Sequence, residues 1–137
     1  PSANPRTGEV EMRSAIRGSV IADTALTNII PASRWIDSSA VLDKPPHRPF
    51  AVFRYGELQH VAKPGAFRLL RVWVHDEAGS YRQIEEVLRL LRANLERLSD
   101  KQSKILCIEW QSDGEDLSDP TYNTVFKVAT FRIVTTT

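Results

Sequence analysis

The densest group of titratable side chains in the sequence is acidic. Glu109, Asp113, Glu115, Asp116 and Asp119 fall within eleven consecutive residues that hold no lysine or arginine. Carboxylates this close could chelate a hard cation, or divide the work of a general acid and a general base. The run from Asp113 to Asp119 superficially resembles a calcium loop. It lacks the alternating acidic ligands, central glycine and terminal glutamate of an EF-hand, and it links two strands. No second acid or base is marked elsewhere for a hydrolytic pair. Two readings remain: a solvated turn whose Asp and Gly residues set backbone geometry, and a loop that docks on a partner or faces a channel.

The other reactive residues are scattered. His47, His60 and His75 lie in three separate segments without metal-ligand spacing; the first two fall in expected loops and His75 ends an expected strand. Cys107 is the only cysteine and sits in an Ile-Leu-Cys-Ile run, so it reads as a small buried apolar residue. There is no P-loop, no G-x-G-x-x-G and no G-x-S-x-G among the six glycines. Phe67, Arg68, Arg71 and Trp73 place basic and aromatic residues on one strand, as a sheet that binds single strands would. A net charge of +1 without a dense basic stripe favours pairing with the core and with adjacent subunits instead. No catalytic constellation, cofactor or metal is expected. The residual enzyme or ligand-binding reading would use the histidines with the acidic loop.

The elements that must position these residues follow from bulk composition and periodicity. With 137 residues, 42% hydrophobic and 26% charged, the chain suits one soluble domain, residues 1–137. Thirteen of the 18 basic residues are arginine, which suits planar multi-donor contacts at interfaces; genome base composition is the competing explanation. Apolar runs are too short to span a membrane, and no basic-then-apolar leader opens the chain, so assembly inside a cell is expected.

Residues 1–7 read as a mobile arm. Met12, Ile16 and Val20 recur every four residues, predicting a helix over 8–22 with Thr7 as its N-cap. Residues 23–49 form an irregular packed connection, too apolar for a free linker and too rich in proline for a long helix or a central strand. Strands are predicted at 50–55 and 67–75, joined by a polar tip at 57–65 that carries Glu57, His60 and Lys63.

A helix is predicted over 81–98, with Ile84, Val87, Leu88, Leu91 and Leu95 on one stripe, Ser80 and Gln83 as a capping box, and Glu85 paired with Arg89. Strands at 104–111 and 123–136 close the chain around the loop at 112–122. The expected fold is α+β, in the order α-β-β-α-β-β, with a four-stranded, largely antiparallel sheet and its helices on one face.

The Arg48-Pro49-Phe50-Ala51-Val52-Phe53-Arg54 strand, the Leu70–Asp76 strand, the Gly79–Ile84 junction, and Trp110 followed by the Asp-rich loop resemble the tail terminator family of long-tailed bacteriophages, in its actinobacterial phage and prophage form. The likeness covers roughly residues 10–135. Gln111-Ser112-Asp113-Gly114 departs from it, because the family leads one to expect a glycine sooner after the tryptophan. The resemblance implies a virion protein that forms a six-fold ring, caps the tail tube protein, stops its polymerisation and joins the connector or head-closure protein. Genomic DNA would pass the lumen without specific binding, and an acidic loop facing that lumen would repel its phosphates. Tail-completion and head-closure proteins, other components of the neck, share this size and character. The candidate interaction residues are Glu57, His60, Lys63, Trp110, Asp113, Glu115, Asp116 and Asp119.

Overall fold

The structure is a computed structural model describing residues 5–37, 47–60, 65–77, 81–121 and 123–136. Its spine is a pair of thirteen-residue strands, β4 (Gly65–Glu77) and β7 (Thr124–Thr136), antiparallel without interruption from Gly65↔Thr136 to Glu77↔Thr124. β7 is rich in β-branched and aromatic residues, which fit a pleated surface, and β4 places Phe67, Val72, Trp73 and Val74 against it.

Two lanes flank this spine. β2 (Phe50–Tyr55) and the short β3 (Gln59–His60) run along the outer side of β4, while β5 (Ile105–Ser112) and β6 (Leu117–Asp119) run along the outer side of β7. β1 (Trp35–Asp37) pairs parallel with β2. The described sheet is therefore mixed, with seven strands in five lanes, where four antiparallel strands were expected. The difference comes from short segments that complete the edges of long ones. The α+β class holds.

Strand alternation sorts the sheet into two faces. Ala51, Phe53, Leu70, Val72, Val74, Ala129, Phe131 and Ile133 form one buried layer with the two long helices, α1 (Pro5–Ile21) and α3 (Arg82–Leu95). Helix α3 lays Ile84, Val87, Leu88, Leu91 and Leu95 on this layer, as its period predicts. Helix α1 contributes Met12, Ile16 and Val20. Asn94 is the one buried polar residue on the α3 stripe; its side-chain amide donates to the Ser19 carbonyl and Asp23, and it accepts from the Ser19 hydroxyl, which locks the helices together.

Several expectations need correction. Residues 5–7 are helical, with Pro5 opening α1 where its missing N–H costs nothing, so Thr7 lies inside the helix. Residues 1–4 are outside the described set. Of the connection expected over 23–49, residues 38–46 lie outside the described set; the described part contains a short helix, α2 (Thr24–Thr27), a 3-10 turn (Ala32–Arg34) and β1. Trp35 there is buried and donates its indole N–H to the Ile30 carbonyl. Ser80 lies outside the described residues, and Tyr81 takes the cap position of α3 without a side-chain cap. Arg89 pairs with Glu86, three residues before it, in place of the expected Glu85, four residues before it.

If α3 supplies the core as its packing indicates, Leu91→Ala should cost about 2–5 kcal/mol in urea denaturation. Leu106→Ala, at a side chain 51% exposed, should cost less than about 0.5 kcal/mol. Equal losses would contradict the layer assignment.

Candidate functional site

The acidic segment is not one loop. Residues 112–122 were expected to link two strands, but Leu117, Ser118 and Asp119 pair with Phe126, Val125 and Thr124 as β6. Residues 113–116 interrupt the lane beside β7, and 120–121 turn after β6. Gly114 makes the interruption possible: it has φ +71°, and a Cβ there would sit 2.7 Å from the Val128 carbonyl oxygen. A side chain would clash and strain the backbone at once.

Most of the acids have local work. Asp113 accepts the Trp110 indole N–H at 2.8 Å, and the Arg92 guanidinium of α3 lies 4.0 Å over that indole. Asp116 lies 3.3 Å from Lys127, which also reaches Glu85 of α3 at 3.6 Å. Asp119 accepts the Thr121 backbone N–H, and Tyr81 donates its hydroxyl to the Leu117 carbonyl. Gly114 and Asp119 thus set backbone geometry, whereas Asp113 and Asp116 are held by the Trp110 and Lys127 side chains. Glu109 and Glu115 remain exposed, alongside the exposed apolar Leu106 and Leu117 on the same outer edge.

The second face of the sheet is the larger feature, and no described helix covers it. Reading across β2, β4 and β7, the register places Val52, Trp73 and Val128 in one row, then Arg54, Arg71 and Thr130 in the next. Leu69 and Arg132 follow, with Glu109 of β5 beside Arg132, and then Phe67, Val134 and Cys107. Arg54 lies 5.2 Å from the Trp73 ring centre and Arg132 lies 4.2 Å from that of Phe67. Arg54 and Arg71 are both exposed and directly opposite, a like-charge cross-strand pair that disfavours the sheet by itself. Alternation puts Arg68 on the other face, where it donates to the Gly56 carbonyl, so the set Phe67, Arg68, Arg71 and Trp73 is not a single surface. Cys107 is partly exposed on this open face, contrary to its expected burial. Partial burial, then Glu109, push its thiol pKa upward.

At one end the open face is closed. The His75 ring is stacked between Phe50 (4.6 Å) and Phe126 (4.8 Å), is 4% exposed, and shares a 2.8 Å hydrogen bond with Thr124. Burial pushes its pKa down to about 4, with Asp119 opposing and Arg48 assisting. A His, an Asp and a hydroxyl therefore come together, but Thr124 is only 2% exposed, so its oxygen has no room beside it for a substrate carbonyl. His47 is exposed and distant in sequence, and His60 lies in β3, opposite Ala66.

At the hairpin, β3 carries the pairing into the expected tip at 57–65. Glu57 is exposed before it, and Lys63 lies outside the described residues. A further polar group was not foreseen: Arg13 bonds Asp37 at 2.9 Å and lies 4.5 Å from the Tyr55 ring centre. The Tyr55 hydroxyl is buried, and burial, then Asp37, raise its pKa while Arg13 opposes. Its members come from α1, β1 and β2, and no local spacing announces it. Among the described residues no group of three or more His, Cys, Asp or Glu is placed to hold a metal ion, and no helix is long and apolar enough to cross a membrane. No family model matches the chain, and no curated protein matches it.

The buried imidazole makes stability depend on pH. Between its folded value of about 4 and the ordinary 6.5, the unfolded chain binds the proton that the folded chain refuses. The contribution is full above the ordinary value and is lost as pH falls through the folded one. Stability attributable to His75 should drop by roughly 2–3 kcal/mol from neutral pH to the folded value. Urea titrations of wild type and His75→Gln over this range test it. The variant should show a flatter slope, and an unchanged slope would contradict a buried neutral ring.

Proposed function

We propose that this protein is a structural subunit of a bacteriophage neck, a tail terminator that assembles as a six-fold ring on the tail tube, stops its growth and joins the tail to the head connector. The carrying observation is the open sheet face. It combines half-buried Trp73, Phe67, Leu69, Val128 and Val134 with Arg54, Arg71 and Arg132, and no lysine is found among its described residues. Aromatic residues and arginine are enriched at protein–protein contacts, and lysine is depleted there. A face of this kind suits a subunit that is completed by its neighbours.

The sequence resemblance supports the same reading, as does the thirteen-residue spine, which gives a subunit the stiffness a ring needs. The ring requires no bond-making chemistry of its own. On this reading the lumen passes genomic DNA without specific binding.

Disruption of the gene in its phage should give overlong tails that fail to join heads, seen by electron microscopy. Tails of normal length that lack heads would move the assignment to a head-closure or tail-completion protein. Normal, infectious particles would overturn both.

A further inference from the structure

We infer that the open sheet face is the seat for a second copy of this chain, docked head to tail, with the outer β5–β6 edge of one copy lying across the Arg54–Arg71 row of the next. This inference rests on the ring reading above and assigns the surfaces that would close it.

Complementarity of charge and apolarity on one chain identifies the occupant. Arg54 and Arg71 face each other across β2 and β4, both exposed, and among the described residues neither has a carboxylate partner. An anionic group placed between them would turn a repulsive pair into a bridged one. The outer edge of the sheet offers such a group: Glu115 is exposed, and it sits two residues from Leu117, which is 38% exposed. Leu106, 51% exposed on the same edge, is the residue displaced outward by the register shift between Ile105 and Cys107.

An edge bearing acid and leucine thus matches a face bearing arginine, valine and tryptophan. Seat and occupant also lie in different places, the row on β2 and β4 and the edge beyond β7, with two lanes between β2 and β5. Contact between different surfaces is heterologous and propagates around a ring, whereas a self-matching patch would stop at a dimer.

A nucleic acid strand fits the face less well. Single-strand binding sheets stack bases on open aromatic rings, but Trp73 and Phe67 already carry guanidinium groups against theirs.

Sedimentation of the full-length protein in low salt, over a concentration series, tests the docking. Wild type should associate, and Arg71→Glu or Glu115→Arg alone should each weaken association by roughly tenfold or more. Both residues are exposed, and unchanged thermal melts will confirm folding. The Arg71→Glu/Glu115→Arg double variant restores opposite charges across the contact and should recover association. A wild type that stays monomeric up to its solubility limit, single variants that associate normally, or a double variant that fails to recover would overturn the inference. So would a labelled single-stranded oligonucleotide that binds wild type and is released by Arg71→Glu, which would mark the row as a nucleic-acid site. Tail length separates this result from the ring reading: normal joined tails with Arg71→Glu protein would end the docking while leaving a ring built through another surface.

Discussion

The uninterrupted pairing of β4 with β7 holds the other elements in place. Because its register runs from Gly65↔Thr136 to Glu77↔Thr124 without a bulge, alternation along both strands stays in phase for their whole length. One face therefore receives Leu70, Val72, Val74, Ala129, Phe131 and Ile133, and the helices bury it. The other receives Phe67, Leu69, Trp73, Val128 and Arg132. A slip of one residue would exchange the two faces, exposing the core and burying the arginines. The short strands β3 and β6 have too few hydrogen bonds to stand alone, and they persist because the long pair offers edges to them.

The parts legible in the sequence are those whose information is local. The apolar stripe of α3 and the alternation of β4 and β7 recur within one segment, so periodicity finds them. Thr7, Lys63 and the expected loop at 112–122 fared worse or fell outside the described residues. Helix and strand ends depend on single capping or edge hydrogen bonds that composition does not encode. The parallel β1 and the three-residue β6 exist through a neighbour's register, and nothing within Trp35–Asp37 or Leu117–Asp119 announces it. Cys107 illustrates the same limit: one bulged residue, Leu106, turns an apparently buried run so that the thiol meets the open face.

The acidic stretch changes meaning when the fold is in view. As a string it suggests a cluster of carboxylates with one role. In space, Asp113 secures Trp110, Asp116 meets Lys127 and Asp119 fixes a turn, which leaves Glu115 and Glu109 facing outward. The arginine row could not be read from the chain at all, because Arg54 and Arg71 meet only through the β2–β4 register. Both the seat and its complement are therefore products of tertiary structure. The proposed assembly role depends on that pairing of surfaces more than on any single motif.

Cys107 provides a native reporter for the central claim, since it lies partly exposed on the open face and is the only thiol in the chain. Its alkylation rate at mildly alkaline pH can be compared between free subunits and assembled particles without altering the protein. If the open face is covered by assembly, the thiol should react in free subunits and be strongly protected in particles. Equal rates in both would contradict the account, because the face would then stay open where the subunit does its work.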